Sequence, residues 1–351
     1  MPSKRTYLDH AATTPMLPEA RDAWLDAAAI WANPSSPHAE GRAARAALEN
    51  ARERVRGALG WNGEVIFTSG ASEALTIGLT RAKAQRRLVS AVEHDTVFRA
   101  APDAEELPVR NGKVGEETLK DALARRGSAV VAIQSVNSET GTHLLTSDSD
   151  LPAQAVRAAG GLLLADCSQS AGKYPLPEAD MIVISAHKLG GPVGIGALLV
   201  RDFSILEPSG GQERGYRAGT ENLPGALAFA AALETMNMDS WATTAEQRLD
   251  FRDALGRHGR VFCPGLQSSH IFAVAAPKLS ANAMLVRMDA LGFAISAGSA
   301  CSSGTLKPSR VLQGFGIDPD LARRTVRISV GWSTTPEELY AFAEVWGQVN
   351  A

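Results

Sequence analysis

The stretch Met181-Ile182-Val183-Ile184-Ser185-Ala186-His187-Lys188-Leu189-Gly190-Gly191-Pro192-Val193-Gly194-Ile195-Gly196-Ala197-Leu198-Leu199-Val200 decides how the rest of the chain is read. Ile182 to Ile184 is a short apolar run and predicts a buried strand. Ile195 to Val200 predicts a second. The glycines between them mark a turn. A lysine at the mouth of two buried strands loses hydration, which lowers the pKa of its amine and prepares it for Schiff-base formation. The competing reading for Lys188 is a solvated lysine in a loop, and an isolated lysine carries no more than that. The choice turns on whether the other parts of a site accompany it.

Working outward, several polar residues fall just after predicted strands. Glu64 to Phe67 reads as a strand, followed by Thr68-Ser69-Gly70-Ala71-Ser72-Glu73 and a helical run from Ala74 to Ala82. A strand, a small-residue turn and a helix start bind phosphate through free backbone N–H groups. A capping box served by Ser69 or Ser72 explains the same residues, and the two readings are compatible. Arg87 to Ala91 reads as a strand and runs into Glu93-His94-Asp95-Thr96. Leu107 to Val109 and Ala129 to Gln134 are further strands, and Asn137-Ser138-Glu139-Thr140-Gly141 follows the second. Gly161 to Ala165 ends in Asp166-Cys167-Ser168-Gln169. Helices are expected at Pro18 to Ile30, Ala39 to Leu59, Glu116 to Arg126 and Leu151 to Ala159.

Alternating strands and helices predict an α/β fold, with a mostly parallel sheet covered by helices on both faces. Ligands of such sheets sit beyond the carboxyl ends of the strands. His94, Asn137, Asp166, Gln169 and Lys188 all fall there. A long polar, glycine-rich loop, Gly210 to Thr220, leads into a helix from Glu221 to Leu233. The stretch Met236 to Thr244 reads as a boundary. It divides a large domain, 14–240, from a smaller α+β unit made of 1–13 and 241–351. In that unit Gly298-Ser299-Ala300-Cys301-Ser302-Ser303-Gly304 is built of small residues, and Val326 to Val330 is a strand carrying Arg327.

Bulk properties exclude other classes. The chain has 351 residues, 45% of them apolar and 21% charged, with a formal net charge of -3. This charge favours neither nucleic acid nor an anionic membrane as partner. No apolar run approaches the roughly 18 residues of a membrane span, and the first residues show no apolar signal core. Cys167, Cys263 and Cys301 are too few and too scattered for a disulfide framework, and they lack zinc-site spacing. A reducing, cytoplasmic setting is expected.

With these motifs in order, the chain resembles the cysteine desulfurases, a branch of the class V aminotransferases among the fold type I pyridoxal phosphate enzymes. The resemblance runs from Tyr7 to about Glu338. It rests on Tyr7-Leu8-Asp9, Asn33-Pro34-Ser35-Ser36, Thr68-Ser69-Gly70, Glu93-His94, Asn137 to Gly141, Asp166 with Gln169, Ser185 to Lys188, Arg214-Gly215 with Gly219-Thr220, Gly298 to Cys301, and Arg327-Ile328-Ser329. It implies that Lys188 carries pyridoxal 5'-phosphate and shuttles the Cα proton. Asp166 pairs with the pyridine nitrogen, Gln169 with the phenolic oxygen, and His94 lies over the ring. Asn137 helps hold cofactor and substrate. Ala71, Ser72, Ser185 and His187 hold the phosphate, and Thr220 reaches the phosphate of a neighbouring subunit in a homodimer with shared sites.

The resemblance further implies that Arg327 clamps the substrate carboxylate. The residues alone do not separate it from Arg323 and Arg324. Cys301 takes sulfur from L-cysteine as a persulfide, leaves alanine, and passes the sulfur to an acceptor: an iron–sulfur scaffold, a tRNA-thiolation carrier or another relay. His94 read alone is a helix N-cap neighbour, and Cys167 a small core residue. Gly331-Trp332-Ser333 and the few residues after the last helix depart from the housekeeping members and bear on the acceptor. An ordinary class V aminotransferase or a selenocysteine lyase shares Lys188, Asp166 and Arg327. A non-catalytic protein on this fold is expected to have lost Lys188 or Cys301, and both are present.

Overall fold

The computed structural model describes residues 5–148, 150–298 and 309–351. Cys301 therefore lies outside the described residues. The strands are β1 (Thr6–Tyr7), β2 (Glu64–Thr68), β3 (Arg86–Ser90), β4 (Glu105–Leu107), β5 (Val109–Arg110), β6 (Lys113–Val114), β7 (Ala129–Gln134), β8 (Leu162–Asp166), β9 (Met181–Ser185), β10 (Gly196–Val200), β11 (Arg260–Val261), β12 (Ile271–Ala275), β13 (Phe293–Ala294) and β14 (Thr325–Ser329). The main sheet has the order β2-β10-β9-β8-β7-β3-β4. Its pairs are parallel except where β10 meets β2 and β9. The carboxyl ends of β2, β3, β7, β8 and β9 thus share one edge with the start of β10.

Side-chain alternation builds two apolar layers. Val65, Phe67, Val131, Ile133, Ile182 and Ile184 point into a core with α1 (Pro18–Ala28), α2 (Ala39–Leu59) and a later helix, Leu223–Thr235. Ile66, Val130, Ala132, Leu164, Val183 and Leu198 point the other way, toward α3 (Ala71–Arg81) and α4 (Asp95–Ala100). This is the expected α/β arrangement with helices on both faces.

Two local expectations are corrected. The run Leu107 to Val109 is not one strand. β4 pairs with β3, whereas β5 pairs with β6 in a separate hairpin. Pro108 between them has no N–H to continue a ladder. The helix after residue 70 begins at Ala71 rather than Ala74, with Gly70 as its N-cap and no side-chain cap. The capping box expected of Ser69 or Ser72 does not form. Gly70 has φ 153° and ψ -177°, a conformation open essentially to glycine alone.

A second sheet, β11-β12-β14, is antiparallel. Phe272 and Phe342 pack edge-on against Phe251 from the helices Ala245–Gly256 and Pro336–Asn350. The N-terminal residues join this side: β1 pairs with β13, and Asp9 bridges to Ser329. Residues 14 to 17 then cross to the main sheet, where Thr14 N–H bonds His187 O at 2.8 Å and Leu17 N–H bonds Gly190 O at 2.8 Å. The lysine turn is thereby held from outside the sheet.

Candidate active site

A cavity of about 650 Å³ opens at the shared strand edge, within the size range of small-molecule sites. One wall comes from the main sheet: Ser69 to Glu73, His94, Gln134, Asp166, Ser168, Gln169, Ser185, His187 and Lys188. The other holds Asp9, Ser138, Glu139, Ser296 to Gly298 and Arg327. Ala71, Ser72, His94, Asp166, Gln169, Ser185, His187, Lys188 and Arg327 are brought together as the sequence predicts.

Lys188 closes a one-turn 3-10 helix, Ala186–Lys188, directly after β9. Asp166 ends β8. Its Oδ1 accepts from Ser168 N at 2.9 Å and Ser168 Oγ at 2.5 Å, which fixes the carboxylate plane. His94 is the N-cap of α4 and accepts from Thr96 N at 3.2 Å through Nδ1. That bond leaves the proton of the neutral ring on Nε2. The cap reading and the site reading of His94 are therefore the same geometry. Burial, then the charge of Lys188, holds its pKa below 6.5. The same two causes, in the same order, bring His187 down to about 4.

Behind this wall, Glu93 is fully buried and accepts from Gln134 N at 2.8 Å. Burial pushes its carboxyl up to about 8, so at neutral pH it is largely protonated. Cys167 is also fully buried, and desolvation pushes its thiol up to about 12. It packs as a small hydrophobe, not as a nucleophile.

On the opposite wall, Arg327 Nη2 meets Asp9 Oδ1 at 2.8 Å and Nη1 donates to Ser138 O at 3.0 Å. Its Nε is buried with no partner among the described residues. One edge of the guanidinium thus remains for a carboxylate. Glu139 accepts from Ser309 Oγ at 2.6 Å, and burial raises its pKa.

Two predicted residues do not line the cavity. Asn137 is buried behind it and fully engaged. Its Oδ1 takes Glu139 N at 3.0 Å and Thr140 N at 2.9 Å, and its Nδ2 donates to Val92 O at 3.1 Å. The turn that Asn137 holds carries Ser138 and Glu139 to the wall. Thr220 is exposed and does not line the cavity. Cys301 lies outside the described residues.

Sequence reasoning missed Thr96, Ser168 and Asp9 as partners. The first two stand two residues beyond a site residue, a spacing that signals a local cap. Asp9 gave no such signal.

The residues present fit pyridoxal phosphate. Gln169 Oε1, His187 Nδ1 and Arg327 Nε are buried polar atoms without partners, all on residues lining this cavity. Such atoms are costly unless a ligand satisfies them. The uncapped start of α3 offers first-turn amides for a phosphate. Gly196 presses on this turn: a Cβ there would lie 2.9 Å from Gly70 Cα. Among the described residues no cluster of His, Cys, Asp and Glu could hold a metal ion, and no helix is long and apolar enough to cross a membrane.

Fold and site together describe a class V transferase. The family model "Aminotransferase class-V" matches residues 6–342. A cysteine desulfurase of Cereibacter sphaeroides is 34% identical, with 97% of this chain and 95% of that protein covered. A cysteine desulfurase of a Frankia strain is 36% identical, with 97% and 90% covered. The X-ray structure of a NifS-like protein from Rickettsia africae superposes with a TM-score of 0.86 over 98% of this chain and 99% of its own, at 24% identity, and agrees in fold. SspA in complex with cysteine superposes with a TM-score of 0.80 at 27% identity, over 94% of this chain and 100% of its own. The chain belongs to the class V aminotransferase family, on the branch whose relatives carry the name cysteine desulfurase.

Proposed function

We infer that the protein is a pyridoxal-phosphate-dependent cysteine desulfurase. The observation that carries this reading is the convergence of Lys188, Asp166, Gln169, His94 and Arg327 on one cavity whose buried polar atoms lack partners.

Ser72, Ser185, His187 and the amides of the first turn of α3 hold the phosphate. Lys188 holds the cofactor covalently, and Asp166 keeps a proton on its ring nitrogen. When bound, the cofactor supplies an electron sink conjugated to the substrate Cα. Arg327 binds the carboxylate of L-cysteine through the edge that carries Nε. Lys188 Nζ takes the Cα proton, and His94, neutral at pH 7, exchanges a proton from Nε2 with the departing group. Asn137 acts through the turn that positions Ser138 and Glu139.

Cys301 then supplies the thiolate, a role that rests on the resemblance. Its sulfur bonds the substrate sulfur as the substrate C–S bond breaks. The electron pair stays with the carbon fragment, which takes up protons and leaves as alanine. The sulfur remains as a persulfide for an acceptor, either an iron–sulfur scaffold or a tRNA-thiolation carrier.

The same reading makes the protein a cytoplasmic homodimer in which Thr220 serves the partner's phosphate. The exposure of Thr220 supports this, as do the exposed apolar side chains of Leu25 (57%) in α1 and Trp31 (81%) after it. Residues 14–240 form the cofactor domain, and 1–13 with 241–351 the smaller one. The β1–β13 pairing supports that division. The test is product analysis with L-cysteine. Alanine and sulfide in equal amounts are expected with a thiol present. A 2-oxo acid without sulfide contradicts the reading.

A further inference from the structure

A second lysine stands behind the first. Lys173 Nζ donates to Lys188 O at 2.9 Å and to Gln169 O at 3.2 Å. These carbonyls belong to two residues that line the cavity. No described ion pair includes Lys173. The charged and titratable groups around it are Lys188, His10 and His270, all potential cations. His10 is 4% and His270 2% exposed.

Burial, with Lys188 as the lesser cause, brings Lys173 down to about 7. Burial and then Lys173 bring His10 down to about 4 and His270 well below its ordinary value. A half-buried ammonium with no ion-pair partner among the described residues keeps part of its desolvation cost. An apolar side chain of similar length would fill the same space without that cost. The position therefore points to a use beyond packing.

The groups facing Lys188 narrow that use. They include Lys173, His94 and His187, with Asp166 and the Asp9-paired Arg327 on the cavity walls. His94 and His187 are neutral at pH 7. Lys173 is the facing group that changes charge near neutrality.

We propose that Lys173 is a positioning residue of this site: its ammonium ties the Gln169 and Lys188 carbonyls together, and its charge opposes a second positive charge on Lys188 Nζ. The proposal rests on Lys188 being the cofactor's attachment point. Each proton makes the other harder to add, so the pair titrates as a coupled unit. Near pH 7 this keeps more of the Lys188 nitrogen unprotonated, as a base for a Cα proton requires.

The test is a pH titration of the visible band of the holoprotein, about 420 nm for the protonated lysine-linked cofactor. The wild type should titrate broadly, in two overlapping steps with a low midpoint. Lys173→Arg, whose charge is permanent, should give one step with a similarly low midpoint. Lys173→Gln and Lys173→Met should give one step with a midpoint higher by about one pH unit or more.

Equal midpoints in the Arg, Gln and Met variants overturn the proposal. If the neutral variants fail to fold or to hold the cofactor, the Arg variant decides alone: a curve as broad as wild type contradicts the coupling. A band that survives Lys188→Ala overturns the reading beneath. A band lost in Lys188→Ala but indifferent to residue 173 overturns only the role of Lys173.

Discussion

Along one wall of the cavity, His94, Asp166, Ser185 and Lys188 stand at the ends of neighbouring strands of a single sheet. Along the other, Arg327 depends on Asp9, 318 residues away in sequence, and on Ser138 from a third segment. The first wall is fixed by backbone ladders that would exist without any ligand. The second also sets Arg327 in a ladder, between β12 and Ser296, but aims its guanidinium by side-chain bonds to segments that meet only in the folded chain. Side chains set directly at strand ends suit a permanently bound cofactor. A carboxylate clamp with one open edge suits a substrate that must come and go.

Lys188→Ala gives the largest expected effect. It should abolish the band near about 420 nm and lower desulfuration by at least about 10³-fold, because the covalent anchor and the base are lost together. Retention of the band would break the assignment of the first wall. Arg327→Ala should leave the spectrum in place and raise KM for cysteine by about 30- to 100-fold, the worth of a charge-assisted bidentate contact. An effect on the spectrum as large as on KM would erase the difference between the walls. Asp9→Asn should shift KM by only a few-fold, because it removes an orienting partner and leaves the guanidinium in place.

This contrast also explains what the sequence revealed. The strand-end residues were legible because alternating apolar runs locate the strands, and a parallel sheet puts its ligand beyond their carboxyl ends. Asp9 and Lys173 were not legible. A carboxylate near the N-terminus and a lysine after Gly172 look like surface charges until the chain is folded. Helix α4 was legible only through the cap reading of His94, a residue type that rarely signals a helix start. Asn137 stands behind the wall, with its amide bonded to Val92 O and to the turn that follows it, an arrangement that its residue type alone does not announce.

The smallest expected effect lies behind the first wall and depends on pH. Glu93 has a folded pKa of about 8 against an ordinary 4.5. Its stabilising contribution is therefore fully present below pH 4.5 and is lost as pH rises toward 8. His10, depressed from 6.5 to about 4, acts in the opposite direction: its contribution is present above 6.5 and is lost as pH falls through 4. Glu93→Gln should remove the alkaline loss. Its melting temperature, measured against wild type, should become relatively higher as pH goes from about 5 to about 8. A difference that does not change with pH would show Glu93 ionised throughout.

The account depends most on which nitrogen carries the cofactor. Borohydride reduction of the purified protein, followed by digestion and mass mapping, should place a pyridoxyl phosphate adduct on Lys188 alone. An adduct on Lys173 or another lysine, or none at all, would contradict it.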